Sequence, residues 1–280
     1  MKLVNRKIIS KPAKVYNLHI QNDHNYIAND AVVSNCHSAK ADALKTLLTG
    51  PMARIPLRWG LTGTVPKEDF EFQSLHVSLG KVISKVSAKE LQDKGVLANC
   101  HVNVVQLIDH AEHTNYQSEL KYLLTNPDRL DIMANLINEA NKTGNTLVLV
   151  DRVEAGKELV SRLGDDAVFV SGATKNSDRK EQYDEVANAN NKIIVATYGV
   201  AAVGINIPRI FNLMLIEPGK SFVRVIQSIG RGIRKAEDKE DVQIWDITST
   251  CKFAKRHLTK RKKFYKEANY PFSIKKLDWK

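Results

Sequence analysis

The sequence predicts an α/β protein: a doubly wound parallel sheet with helices on both faces, preceded by a small all-β segment. Three observations carry that prediction. TLVLVD (146–151), KIIVAT (192–197) and FNLMLIE (211–217) have continuous apolar centres without alternation, as strands buried on both faces of a parallel sheet do. Helical stretches alternate with these runs between residues 101 and 250, the pattern of βα units. The first 35 residues instead read as short β segments separated by turn clusters such as QNDHN and AND.

In order along the chain, KLVNRKII, KVYNLHI, NYIAND and AVVS are the early β segments. Residues 38–48 read as a helix, with Ala41, Leu44, Leu47 and Leu48 on one face. LRWGLTGT (57–64) is a strand running into a Gly/Thr turn, and a polar stretch follows to about residue 100. HVNVVQLI (101–108) opens the second α/β region, with helices interrupted near Asn126-Pro127. VEAGKELVSRL is a helix, AVFVSG a strand, and SDRKEQYDEV a helix opened by a Ser/Asp cap. FVRVIQSIGRGIRK (222–235) is a helical run and DVQIWDIT (241–248) the last strand. The domain boundaries expected are 1–35, 36–100, 101–250 and 251–280.

Composition narrows the function classes. With 43% hydrophobic and 26% charged residues, the 280-residue chain has the make-up of a globular protein. No apolar run approaches the ~20 residues of a membrane span. Three cysteines at unrelated spacings form neither a disulfide framework nor a zinc ribbon, which suits a reducing cytoplasm. His110, His113, Cys100 and His101 lack zinc-site spacing, so no metal ligand is expected in this chain. The net charge of +11 is concentrated at the end, where residues 252–280 hold eleven Lys and Arg against Glu267 and Asp278. Six aromatic residues are interleaved there. Such a segment suits a polyanion, with Lys260, Arg261, Lys262 and Lys263 as the densest contact run. The plainer reading of the same segment is a solvated helix whose aromatics pack onto the core.

Chemistry is densest between residues 195 and 235. VATYGVAAVGINIP (195–208) ends a strand in Thr and glycines, and QSIGRGIRK (227–235) follows after one more strand. Gln-x-x-Gly-Arg-x-x-Arg puts Gln227, Arg231 and Arg234 at i, i+4 and i+7 of a helix. Two guanidiniums so placed can stabilise the charge on a transferring γ-phosphate, a role worth about 10³–10⁵ in rate.

Together these segments resemble the second half of a superfamily-2 helicase, most closely the phage UvsW-type helicase/annealing enzymes. His37 with SAKADALKTLL resembles the end of a DExH box, and RWGLTGT (with Thr62, Gly63 and Thr64) resembles motif III. TLVLVDRVEAGKEL resembles motif IV, VATYGVAAVGINIP motif V and QSIGRGIRK motif VI. The resemblance implies RecA-like lobes: the end of the first over 36–100 and the whole second over 101–250. It implies ATP and Mg²⁺ as cofactors, with Gly204, Asn206, Gln227, Arg231 and Arg234 at the nucleotide. It also implies Thr197, Tyr198, Gly199 and the basic tail at branched or single-stranded DNA, in the host cytoplasm of a phage-encoded protein.

Two parts of that pattern are missing. No G-x-x-x-x-G-K-[ST] phosphate loop occurs, and EPGKS (217–221) is a decoy because Met214 stands where the first Gly belongs. Ser34 and Asn35 occupy the positions of the box Asp-Glu. KVYNLHIQNDHNYIANDAVVSN followed by Cys resembles the C-terminal segment of a split intein, similar to the cyanobacterial polymerase type. That resemblance makes Cys36 the nucleophile that takes over the upstream chain. Asn35 then cyclises to release the intein, and His24 handles the proton traffic. Ser34 stands where many inteins have His, and Asn17 where the common pattern has Asp. The implied function is the C-terminal half of a split helicase, joined to an N-terminal helicase/N-intein fragment by trans-splicing. The alternatives are a non-enzymatic nucleic-acid-binding fragment, or a half that complements its partner without covalent joining.

Overall fold

The computed structural model describes residues 25–28, 31–35, 42–54, 57–62, 65, 69–174, 176–204 and 207–279. The chain divides into two units, Met1–Lys85 and Val86–Lys280.

In the first unit, β1 (Asn25–Ala28) and β2 (Ala31–Asn35) pair antiparallel, Asn25 opposite Ser34 and Ala28 opposite Ala31. Two residues of the turn-forming type, Asn29-Asp30, link the paired ends. α1 (Asp42–Thr49) follows, and β3 (Leu57–Leu61) then pairs parallel with β2, Ala31 opposite Leu57 and Asn35 opposite Leu61. The predicted small β segment therefore does not stand apart, because its last strand shares a sheet with LRWGL. α2 (Asp69–Leu79) buries Leu75 and Ser78 but leaves Phe70 81% exposed.

The second unit is built on a sheet that, among the described residues, has seven strands. α3 (Ala88–Asp93), capped by Ser87, leads into β4 (Asn99–Leu107). α4 (Tyr116–Thr125) and α5 (Pro127–Asn141) are separated at Asn126, which caps α5 through its side chain, with Pro127 in the first turn. Then come β5 (Thr146–Val150), α6 (Val153–Leu163), β6 (Ala167–Val170), α7 (Asn176–Asn188) and β7 (Ile193–Thr197). α8 (Tyr198–Gly204), β8 (Asn212–Ile216), α9 (Phe222–Gly232) and β9 (Asp241–Ser249) follow. α10 (Lys252–Glu267) and β10 (Phe272–Leu277) end the chain. The order across the sheet is β10-β4-β9-β8-β5-β7-β6, every pair parallel.

Alternation along each strand sends side chains into two cores. Leu147, Leu149, Leu213, Leu215 and Ile244 face Val225 and Ile229 of α9 and Leu258 and Tyr265 of α10. Val148, Val150, Met214 and Ile216 face Leu130, Met133 and Ile137 of α5 and Leu159 of α6. That is why the central runs lack polar positions: both faces are covered. β10, at the sheet edge, is exposed through its middle and carries Lys275 and Lys276, charges that discourage further strand addition. It is a strand that the reading of residues 251–280 as a basic tail did not anticipate. α2, α3 and α8 were likewise not predicted. Among the described residues, no helix is long and apolar enough to cross a membrane.

Candidate functional site

Because all seven strands are parallel, their C-terminal ends share one edge, where α/β sheets bind their ligands. Asp151 follows β5, Tyr198 follows β7, and Glu217 follows β8. Two groups organise this edge, and the arginines of QSIGRGIRK lie toward the N-terminal ends of the strands, beside the residues that precede β4.

The first is the α8–α9 pair. β7 passes straight into α8 at Tyr198, whose ring is 5% exposed and whose hydroxyl donates to the Ile216 carbonyl at 3.2 Å. Tyr198 is thus a packing residue of this edge, and the expected nucleic-acid contact does not fit its burial. Thr197 is half-buried, Gly199 exposed, and Gly204 closes α8. α9 is capped by the Ser221 side chain, which accepts from the Arg224 N–H. The Arg224 guanidinium lies 5.0 Å from the centre of the Tyr198 ring and donates to Asp151 at 2.7 Å. Asp151 and Arg224 were not singled out from the sequence. The signals available were an acid directly after an apolar strand and an arginine in the first turn of a helix.

The arginines of QSIGRGIRK form a separate group. Gln227 and Arg231 lie on α9, but the helix ends at Gly232 and does not reach Arg234. This corrects the single-helix spacing expected for the three. Gly232 packs against β8 so closely that a Cβ there would meet Leu213 at 3.0 Å. Beyond it Ile233 accepts from the Ala98 N–H, and Arg234 bridges to Leu97. Arg231 and Arg234 are both half-buried. Burial, then the Arg234 charge, holds the Arg231 guanidinium below its ordinary value, with Tyr183 of α7 pulling the other way. Burial alone lowers that of Arg234.

The second group of the C-terminal edge is a buried ionic network behind it. Arg129 is fully buried and donates to Asp109 at 3.3 Å and Glu217 at 2.8 Å. Ser249 donates to Asp109, and Thr248 to Glu217. Burial pushes the Glu217 carboxyl upward against the pull of Arg129. Glu217 also takes φ 43°, a conformation non-glycine residues seldom adopt. Such strain persists only where surrounding bonds over-determine it, and here the Arg129 ion pair and the Thr248 bond do so.

The basic tail is a helix and an edge strand. Lys260 and Lys263 are exposed on α10 and Lys262 is half-buried, but Arg261 is fully buried. Its guanidinium clasps both Asp246 oxygens, at 2.8 and 2.9 Å, and donates to the Gly219 carbonyl at 2.7 Å. The Tyr265 hydroxyl completes Asp246 at 2.7 Å. Although burial opposes its charge, the Asp246 carboxylate holds Arg261 protonated above the ordinary guanidinium range. The burial of Arg261 does not fit the expected nucleic-acid contact, and the exposed cations of this helix are Lys252, Lys255, Arg256, Lys260, Lys263 and Lys266.

His257 sits on the same helix with its ring 4.8 Å from that of Tyr116. Burial, then the charges of Arg261, Lys220 and Lys260, pushes it from 6.5 down to about 4. The unfolded chain therefore takes up the proton first, and the stability contributed by the neutral ring is lost as pH falls from 6.5 towards 4. Thermal melts are expected to show this decline in the wild type and a flatter profile in His257→Gln over the same window.

Of the other expected site residues, Thr62 is half-buried just beyond β3, and Ser34 and Asn35 are the last two residues of β2. His24, Cys36, His37, Gly63, Thr64 and Asn206 lie outside the described residues. Cys100 and Cys251 are buried free thiols. Burial pushes Cys100 up to about 11, which leaves it a poor nucleophile.

Residues 128–236 match the helicase conserved C-terminal domain. The chain is 26% identical over 245 residues to the ATP-dependent DNA helicase uvsW of Enterobacteria phage T4, covering 84% of this chain and 48% of that one. Among solved structures, that of T4 UvsW superposes with a TM-score of 0.57 at 21% identity, over 88% of this chain and 53% of the other. S. cerevisiae Dbp5 bound to RNA and ADP BeF3 gives 0.55 at 12% identity, over 88% and 58%. The likeness to these structures establishes a RecA-like helicase lobe as the fold. The chain spans about half the length of the curated relatives it matches.

Proposed function

With residues 128–236 a helicase C-terminal domain, we propose that this chain is the C-terminal half of an ATP-dependent DNA helicase, joined to its N-terminal half by protein trans-splicing. The observation that carries the helicase part is the match of residues 128–236 to the helicase conserved C-terminal domain, which includes the half-buried pair Arg231 and Arg234 at the end of α9. In this reading the N-terminal half supplies the phosphate loop, the Asp-Glu of the box and the Mg²⁺ site. Arg231 and Arg234 act on the γ-phosphate, and Gln227 lies at the nucleotide or between the lobes. The exposed lysines of α10 hold the DNA backbone. ATP and Mg²⁺ bind only in the joined protein.

Splicing rests on the chemistry of SNC at 34–36 and on the register of β2. The β1–β2 pairing ends at Asn35, level with Leu61, the last residue of β3. Cutting the chain there and attaching Asp-Glu to Cys36-His37 restores a box reading Asp-Glu-Cys-His. Cys36 attacks the upstream thioester, Asn35 cyclises as the intein leaves, and an S-to-N shift forms the peptide bond.

The parallel β2–β3 pairing also favours a second reading, in which 31–35 is the helicase's own strand and the box has lost its acids. The protein would then bind nucleic acid without hydrolysing ATP. Incubation with a fragment carrying an N-intein after a phosphate loop and Asp-Glu separates the two. A ligated product of higher mass is expected, absent with Cys36→Ala or Asn35→Ala. Wild-type chain that stays unligated, yet assembles an active ATPase with that fragment, would replace splicing by non-covalent complementation.

A further inference from the structure

Lys239 has no role in anything derived above, yet it is 1% exposed. Lysine is almost never so buried unless its three donors are satisfied. Here they are: Nζ donates to the carbonyls of Gly232 at 2.6 Å, Arg234 at 2.7 Å and Pro208 at 2.9 Å. Gly232 ends α9, Arg234 is the second arginine of the pair, and Pro208 closes the segment after α8. One ammonium thus ties together the two segments at the arginine pair.

Its position explains how the turn survives without a helical hydrogen-bond ladder. Carbonyls at the end of a helix have no intrahelical donor, and a cation there also meets the negative end of the helix dipole. Lys239 reaches back seven residues to the Gly232 carbonyl from a short antiparallel bridge with Ala236. Next to it Asp238 pairs with Arg209, whose guanidinium donates to the carbonyls of Ala187 and Ala189 behind α7. The arginine turn, residues 207–210 and the end of α7 are therefore linked by consecutive side chains.

We propose that Lys239 is a positioning residue for the Arg231–Arg234 pair: its ammonium sets the path of the chain between the two arginines and locks it to residues 207–210. It touches neither nucleotide nor nucleic acid, and it acts through backbone carbonyls. The inference rests on the helicase reading for what the arginines do, but not for the lock itself. Methionine fills the lysine stem without donors, so Lys239→Met takes the ammonium donor from three carbonyls, and the chain at Arg234 loses one of its anchors. A displacement of about 1 Å at a reacting centre costs roughly 10²-fold in rate.

Amide hydrogen exchange on the 280-residue chain tests the lock without any activity. In Lys239→Met, protection of residues 231–236 and 207–210 is expected to fall at least about tenfold, a local opening of the kind exchange resolves. The strands β5 and β8 should remain as protected as in the wild type. Lys239→Gln, which keeps two donors, should fall between, and it decides the matter if the methionine variant does not fold. Unchanged exchange at 231–236, or a loss spread evenly over the sheet, overturns the proposal. In the restored helicase, Lys239→Met should lower kcat for ATP roughly 10²-fold with KM little changed. A fall in KM-dependent binding alone would also overturn it. Absence of turnover in the wild type would count against the helicase reading, and the exchange result would still decide the lock.

Discussion

Arg231→Ala is expected to lower ATP turnover by the restored helicase by about 10³-fold or more, the range in which a γ-phosphate arginine acts. The expectation follows from where its charge sits. The guanidinium is half-buried, and burial followed by the Arg234 charge holds it below its ordinary value. Charge developing on a transferring phosphoryl group relieves both the desolvation and the repulsion. The arginine therefore interacts more strongly with the transition state than with bound ATP, and the loss should appear in kcat. Arg231→Lys tests geometry against charge, because an ammonium keeps the charge without the planar fork and should recover only a small part of the rate. Turnover within tenfold of wild type would remove Arg231 from the chemistry.

The parts of this fold that were legible in the sequence are those governed by one local rule. Apolar runs without polar positions marked β5, β7 and β8, because strands covered on both faces allow no alternation. Asn126-Pro127 marked the break between α4 and α5 through its cap and fixed φ. What was hidden depended on tertiary context. VATYGVAAVG read as a strand ending in Thr and glycines, yet burial of Val200 and Ala201 in the core makes a short helix of the segment after β7. The run FVRVIQSIGRGIRK read as one helix to Lys235, but the Lys239 cage and the Ala98–Ile233 bond turn the chain after Gly232. Arg129 and Lys239 were not singled out, and Arg261 was placed in the polyanion-contact run, because no local pattern announces a buried cation. One signal was available for Arg261: Ala254, Leu258, Arg261 and Tyr265 share the helical spacing of a single face, and that face is the buried one.

The consequence for α10 is a separation of roles between adjacent residues in the run KRKK. Arg261→Met is expected to cost about 3–5 kcal/mol in urea or thermal unfolding, the range for breaking one side of a buried ion pair. It leaves the Asp246 carboxylate buried against the Tyr265 hydroxyl, and it removes the guanidinium donor from the Gly219 carbonyl in the turn before α9. The origin of that cost can be checked directly. If it comes from stranding Asp246, then Arg261→Met with Asp246→Leu should regain much of the loss, since apolar replacement of both partners is often near neutral. Lys260 and Lys263 sit one and two residues away on the exposed side, and changing either to Met should move stability by less than about 0.5 kcal/mol. Their effect belongs to binding instead. Each phosphate contact removed should lower the slope of log affinity for duplex DNA against log salt by about 0.9. Arg261→Met, assayed where it remains folded, should leave that slope unchanged, because its charge is spent on Asp246. A slope that falls with Arg261→Met and not with Lys260→Met would mean that the DNA reads the opposite side of the helix, and the assignment of its exposed lysines to the backbone would fail.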